Sequence, residues 1–302
     1  MAVSSLNCVI MGASGRVGGL LRAALNATPP ENTRFFWAGR QADPAALADF
    51  AAQAGGIDAI LCLRGVVAGR RGADGSPANV ADNSRLALET CDLARRYDIN
   101  HVFLTSSAAV YGPPDGTAPL AETATPAPVA AYGRAKLAME QAALARPDMA
   151  ERLTCLRIGN VAGADQLLVN AFAGMRSGMR PLMLDRFTDG QSPLRSYIGP
   201  ETLARCLVAL FRHAAAGTAA GTVPLPALLN VTAPCPVEMA DLLEALHDHL
   251  PDLSWQSQPA PATALPCVAL DATRLTALVP FNTKDSTAPE IIRQVLACRG
   301  AL

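Results

Sequence analysis

Tyr132 and Lys136, four residues apart in Tyr132-Gly133-Arg134-Ala135-Lys136, share one face of the helix expected over residues 131–144. A phenol and an ammonium placed this way can act on the same bound molecule. A phenol titrates near 10 and needs roughly three units, about 4 kcal/mol, to work as a base near pH 7. One positive charge at about 4 Å supplies a similar amount at an effective dielectric near 20. Lys136, helped by a positively charged group bound beside it, is enough in principle to activate Tyr132, although the same spacing also occurs on ordinary surface helices. A second group, Thr105-Ser106-Ser107-Ala108-Ala109-Val110-Tyr111-Gly112, follows an apolar run. Hydroxyls at the carboxyl end of a parallel strand face the crevice where ligands bind in open α/β sheets; alone, a Thr-Ser-Ser run is also turn chemistry.

A third group, Gly12-Ala13-Ser14-Gly15-Arg16-Val17-Gly18, has the spacing GxxGxxG between an apolar run and a helical one. Gly12 permits the tight turn, Gly15 lets the backbone approach a pyrophosphate, and Gly18 lets helix pack on strand. The pyrophosphate would rest on the helix N-terminus, where N–H groups and the dipole favour an anion. The alternative is a plain strand–helix turn. The four histidines form no metal site: His247 and His249 flank Asp248 at a spacing that points the rings apart.

These groups need a frame to position them. Strands are expected at residues 6–11, 34–38, 58–63, 101–105 and 153–157. Helices are expected between them at 19–25, 44–54, 82–96 and 131–144, with Pro44 suited to a first helical turn. This alternation predicts an α/β fold with a doubly wound parallel sheet. Residues 112–128 hold five prolines and no periodicity; a loop of this length before Tyr132 reads as a wall of the site or a surface linker. Beyond residue 160 helices are expected at 169–178, 201–213, 237–249 and 289–298, a strand at 228–231, and an irregular stretch at 251–266.

The chain has 302 residues, 50% hydrophobic and 17% charged, with 25 basic against 26 acidic residues and a net charge of −1. So apolar a chain buries a substantial core, which excludes general disorder. The charge balance excludes nucleic-acid binding by bulk electrostatics. Apolar runs end well short of about 18 residues, so no membrane span is expected, and the first ten residues lack a signal-peptide pattern. Eight cysteines stand singly with no CxxC pair, the usage of a cytoplasmic protein with free thiols.

Taken in order, the motifs resemble the extended short-chain dehydrogenase/reductases, specifically the NAD(P)-dependent epimerase/dehydratase family. The resemblance is carried by Gly12–Gly18, Asn83, Ser106–Gly112, Glu122, Pro128 and Tyr132–Lys136. It continues through Leu156–Gly163, Asp189-Gly190, Arg195–Ile198 and Leu228–Val231. It implies a Rossmann-type domain over residues 1–162, rejoined by 196–232, with a smaller substrate lobe made mainly from 163–302. It further implies that Tyr132 is the general acid/base, that Lys136 lowers its pKa and holds the nicotinamide ribose, and that Ser107 hydrogen-bonds the reacting oxygen, with Asn83 in the same catalytic set. Cofactor contacts fall by resemblance on Gly12, Ser14, Gly15, Arg16, Val17, Gly18, Arg40, Leu63, Gly65 and Thr105. Substrate contacts fall on Ser107, Tyr111, Asn160 and Arg195, the last being alternatively a salt bridge between lobe and domain. Relatives commonly dimerise through the helices at 82–96 and 131–144, so a homodimer is expected.

Departures narrow the reaction. Dehydratases of the group carry an Asp-Glu pair where this chain has Ala108-Ala109, which can move no proton. A substrate-contacting Asn of relatives falls on Leu167, Arg64 replaces a small residue, and the segment between Arg40 and Asp58 is short. The second strand ends Trp37-Ala38-Gly39-Arg40 with no carboxylate until Asp43, which favours NADP, with Arg40 and Arg16 as candidate partners of the 2′-phosphate, while NAD stays possible. The alternative is an Arg40 that simply faces solvent. The expected function is an NAD(P)-dependent epimerase or oxidoreductase acting on a sugar or nucleotide-sugar-like small molecule. The alternatives are an NADPH-dependent reductase of a non-nucleotide carbonyl compound and a non-catalytic dinucleotide sensor.

Overall fold

Strands that are apolar at every position, not at alternate ones, must be covered on both faces. In the computed structural model, which describes residues 5–41, 43–66, 79–116, 118–177, 182–217 and 223–301, they are. The strands β1 (Leu6–Met11), β2 (Thr33–Ala38), β3 (Ala59–Cys62), β4 (His101–Ser107) and β5 (Leu153–Ile158) join into one sheet. The intervening helices are α1 (Arg16–Ala27), α2 (Pro44–Ala54), α3 (Asp82–Arg96) and α4 (Ala131–Leu144). After a short strand β6 (Asn160–Val161) come α5 (Gln166–Ser177), β7 (Leu182–Arg186), β8 (Leu194–Arg195), β9 (Tyr197–Ile198) and α6 (Pro200–Ala216). The chain continues through β10 (Leu228–Val231), β11 (Val237–Glu238), α7 (Met239–His249), β12 (Trp255–Pro259), β13 (Cys267–Val268), α8 (Thr273–Leu278) and α9 (Ala288–Ala297).

The main sheet is wholly parallel, in the order β10-β5-β4-β3-β1-β2. The strand order reverses between β1 and β3, so a crevice opens above their carboxyl ends, at Gly12 and Leu63. Alternate residues of each strand feed opposite layers. Cys8, Ile10, Leu61 and Phe103 face α1 and α6, meeting Leu20, Leu21, Leu207 and Phe211. Val9, Met11, Ile60 and Val102 face the other helices, meeting Leu47, Ala87, Cys91 and Met139. A separate core under the lobe gathers Leu168, Phe172, Leu184, Leu243, Leu246, Ile291 and Val295.

Several boundaries differ from expectation for local reasons. β4 runs on to Ser107, so the Thr-Ser-Ser run is strand end, not turn. α1 begins at Arg16, because Gly15 already takes the extended cap conformation. α5 begins at Gln166, and the expected end at residue 178 lies outside the described residues. Within 251–266, expected to be irregular, β12 pairs in parallel with β7; its polar Trp-Gln-Ser-Gln-Pro sequence is largely exposed and carried no apolar signal. All eight cysteines are free thiols, six of them buried. No helix among the described residues is long and apolar enough to cross a membrane.

The buried ring of His101 bonds through Nε2 to the Thr154 hydroxyl (3.0 Å), whose proton goes to the Pro226 carbonyl (2.9 Å). Burial, then the charges of His213 and Arg152, push its pKa down from 6.5 to about 4. Below pH 6.5 the unfolded chain therefore binds a proton that the folded chain refuses, so stability falls as pH drops from 6.5 towards 4. At about 1.4 kcal/mol per unit the loss reaches about 3 kcal/mol. Urea unfolding at pH 7 and pH 4.5 should show a smaller acid loss in His101→Gln than in wild type; equal losses would show that another group carries it.

Candidate active site

The turn after β1 is shaped for an anion. Gly12 adopts φ +87°, and a Cβ there would lie 2.8 Å from the Arg64 nitrogen. Its N–H reaches the Ala38 and Gly39 carbonyls at 2.9 Å each, which seats the turn on the end of β2. A Cβ at Gly18 would come within 2.7 Å of Ala13, forcing α1 off the strand. No side chain caps the N-terminus of α1. A bare helix start over a cradle that any Cβ would fill suits a dinucleotide pyrophosphate. Above it lies a cavity of about 600 Å³, walled at this end by Gly12, Gly15, Arg16, Val17, Gly18, Leu63 and Gly65.

At the other end β4 and α4 bring the reactive groups together. Thr105, Ser107, Tyr132 and Lys136 all line the same cavity. The Thr105 hydroxyl donates to the Cys62 carbonyl (2.7 Å), binding β4 to β3, while Lys136 Nζ donates to the Thr105 carbonyl (2.7 Å). The ammonium lies 6.0 Å from the centre of the Tyr132 ring. The Ser107 hydroxyl accepts from Ala109 N (3.2 Å) and stands near enough to the Tyr132 phenol to oppose the effect of burial on it. Burial pushes the phenol above its ordinary pKa, with Ser107 opposing, and burial pushes Lys136 down. The phenol is thus not brought down in the protein alone, without the oxidised nicotinamide ring whose charge the expectation counted on. The lysine is turned to a carbonyl, and desolvation outweighs its charge.

Asn160 lines the cavity beside Ile158, Gly159, Val161 and Ala164. Asp165 and Gln166, which sequence reasoning passed over, line it too. Asp165 caps α5: its carboxylate accepts from Leu168 N and Gly163 N, each at 3.1 Å, and burial pushes its pKa up. An Asp just ahead of an apolar helical run is a readable cap signal, missed because the helix was expected to start at residue 169.

Five residues named from sequence stand outside the cavity lining. Asn83 is buried with its Oδ1 accepting from Val66 N (3.0 Å) and its Nδ2 donating to Val66 O (3.0 Å) and Val80 O (2.8 Å), so it clamps the exit of β3 and has no N–H left for a substrate. Tyr111 is buried; its phenol donates to Asn230 Oδ1 (2.7 Å) and the Arg157 guanidinium lies 4.7 Å above its ring. Among the described residues Arg195 forms no salt bridge between lobe and domain. Its guanidinium donates to the carbonyls of Leu194 (2.8 Å), Leu265 (2.8 Å) and Pro266 (3.3 Å), a backbone clasp within the lobe. Ser14 and Arg40 are exposed on the rim beside the glycine turn.

Beneath the reactive groups lies a buried polar network. Arg157 on β5 and Glu140 on α4, each 2% exposed, pair at 2.8 Å. Ser106 donates to the same carboxylate, and Asn230 N donates to Glu122 Oε1 (2.9 Å). Glu122 also meets Arg274 at 3.5 Å.

The model of the NAD dependent epimerase/dehydratase family matches residues 8–223. Among solved structures, UDP-glucose 4-epimerase from Brucella ovis in complex with NAD is similar at 19% identity and a TM-score of 0.73, over 96% of this chain and 97% of that one. The UDP-Glc/GlcNAc 4-epimerase from Campylobacter jejuni is similar at 19% identity and a TM-score of 0.71, over 99% of this chain and 100% of that one. The NAD-dependent NDP-hexosamine 5,6-dehydratase TunA is similar at 18% identity and a TM-score of 0.68, over 99% of both chains. At these identities the likeness is one of fold. Among curated protein sequences none matches the chain.

Removing one member of the buried pair leaves the other charge uncompensated. Arg157→Met should cost about 3–5 kcal/mol in chemical unfolding, and Arg157→Met/Glu140→Gln should recover much of it. A double variant as unstable as the single one would show that the pair is more than mutual neutralisation.

Proposed function

The chain belongs to the NAD-dependent epimerase/dehydratase family, and from that membership we propose an NAD(P)-dependent epimerase or oxidoreductase acting on a hydroxyl or carbonyl of a sugar or nucleotide-sugar-like molecule. The observation that carries the reading is the gathering of Ser107, Tyr132 and Lys136, the last one turn further along the same helix as the phenol, in the cavity above the glycine turn. The nicotinamide, when bound, supplies or accepts the hydride. Gly12, Gly15 and Gly18 hold the pyrophosphate against α1, and Lys136 holds the ribose. Ser107 orients the substrate oxygen, and Tyr132 passes the proton to or from it. Ala108 and Ala109 form a short 3-10 turn after β4 and offer no carboxylate there, so the reading excludes loss of water through an adjacent acid pair. A homodimer through α3 and α4 is carried over from the family resemblance, and the unpaired thiols accord with a cytoplasmic setting.

One observation favours a second reading. The Arg195 guanidinium is committed to backbone carbonyls, and the cavity's cations among the described residues, Arg16 and Lys136, stand at the cofactor end and at the reacting centre. The α5 side presents Asp165 instead, which suits an uncharged carbonyl compound better than a diphosphate.

For the cofactor we propose NADP(H), with NAD(H) as the weaker ligand. Asp43, the first carboxylate after β2, caps α2 by accepting from Ala45 N (3.0 Å), so it is spent on the helix and not on a ribose. Arg40 and Arg16 are exposed beside the turn. A charged hydrogen bond to a 2′-phosphate contributes about 1.5–3 kcal/mol, or roughly 10- to 150-fold in affinity. Titration with both cofactors should show tighter NADP(H), with Arg40→Ala losing most of the difference; equal affinities, or tighter NAD(H), would refute it.

Catalysis is tested on a panel of nucleotide sugars and simple carbonyl compounds. Tyr132→Phe should keep cofactor binding and lose about 10²–10⁴-fold in turnover, whereas Lys136→Ala should weaken both. Turnover by the phenylalanine variant near that of wild type would remove Tyr132 from the chemistry.

A further inference from the structure

Arg64 is a buried arginine between two residues that wall the cofactor cavity, Leu63 and Gly65. Its backbone packs on Gly12, but its side chain crosses to α3. There Nη2 donates to the Leu86 carbonyl and to Thr90 Oγ1, both at 2.7 Å. Nη1 donates to the Glu89 carboxylate and to the carbonyl of Arg40, both at 3.2 Å. Nε is buried with no hydrogen-bond partner. Filling this space does not require a charge, since Met11, Leu47 and Leu93 line the adjoining cleft. Burying a guanidinium with one donor unmatched carries a desolvation cost that a well-packed apolar side chain would avoid.

What the guanidinium adds is one bond outward, to Arg40. β2 is the edge of the sheet, so the exit at Gly39-Arg40 has no strand on its outer side. On the inner side Gly12 N and Ala13 N hold the Ala38 carbonyl at 2.9 Å. The Arg40 carbonyl, one step further out, is held from α3 through Arg64. We propose that Arg64 is a positioning residue for cofactor discrimination: it fixes the Arg40 main chain so that the exposed Arg40 guanidinium meets the 2′-phosphate without first being ordered. The inference rests on the reading of Arg40 given above. Arg64 itself is neutralised by Glu89 and faces α3, so it acts through geometry and not as a phosphate ligand. Lysine, a point charge without the planar fork, cannot span these partners.

The experiment titrates wild type, Arg40→Ala, Arg64→Met, Arg64→Lys and Arg40→Ala/Arg64→Met with NADPH and NADH by fluorescence, reading the ratio of the two dissociation constants. Taken on one sample, the ratio is insensitive to the fraction of protein that is folded. Arg64→Met and Arg64→Lys should each lower the NADPH preference by about tenfold. The double variant should fall no further than Arg40→Ala. Thr90→Val, which removes one anchor of Arg64 with little change of shape, should lower the ratio in the same direction and serves if Arg64→Met does not fold. A wild-type ratio in Arg64→Met beside a lost one in Arg40→Ala overturns the proposal and leaves the Arg40 reading standing. A full ratio in Arg64→Lys overturns it in favour of charge alone. A wild type without NADPH preference removes the reading and the proposal together.

Discussion

The ion pair between Arg157 and Glu140 is the contact on which the site's geometry depends. Both side chains are 2% exposed, and each belongs to a different element, β5 and α4. In so dry a setting an unmatched charge is costly, so α4 can dock on the sheet only where the pair closes. That docking brings Tyr132 and Lys136, on the same helix, against Ser107 and Thr105 at the end of β4. Ser106 contributes its hydroxyl to the Glu140 carboxylate, which leaves its neighbour Ser107, on the opposite side of the strand, for the phenol. Adjacent serines are thereby divided between architecture and chemistry by the two-residue alternation of a strand.

Burial acts on the site in two directions. It holds the Tyr132 phenol protonated and makes the Lys136 ammonium easier to neutralise. Neither shift favours proton abstraction by itself. The same low dielectric strengthens the effect of any further charge brought into the cavity. Asp165, with its pKa raised by the same cause, places a carboxyl with reduced tendency to ionise in the cavity wall.

Much of this was legible in the sequence because the relevant signals are local. The apolar runs of β1, β3, β4 and β5, the spacing of Gly12, Gly15 and Gly18, and the one-turn interval from Tyr132 to Lys136 are all short-range patterns. The parallel sheet and the assembly of Ser107, Tyr132, Lys136 and Asn160 around one cavity follow from them. What was not legible depends on partners distant in sequence. Tyr111 reads as a substrate contact until Asn230, more than a hundred residues away, is seen to accept its hydrogen bond. Asn83 reads as catalytic until Val66 and Val80 close around it. Arg195 reads as a phosphate ligand or a salt bridge until the carbonyls of Leu265 and Pro266 arrive from the far end of the lobe. β12 escaped because an exposed parallel ribbon shows no apolar alternation.

The placement of β10 bears on how the chain matures during synthesis. Five of the sheet's six strands are complete once Ile158 has been made, yet the outer edge of β5 is paired only by Leu228–Val231. Until then that edge offers open backbone groups to any passing strand, and the Tyr111 phenol and Glu122 carboxylate lack Asn230. Arg274, which meets Glu122, arrives later still. The nascent chain must therefore hold a nearly finished, sticky sheet while the whole of α5 through α6 is translated, and contacts of such long sequence separation close late. The bonds of Tyr111 and Glu122 to Asn230 and Arg274 are therefore among the late ones to form, and until they close the open edge of β5 is exposed to misassembly.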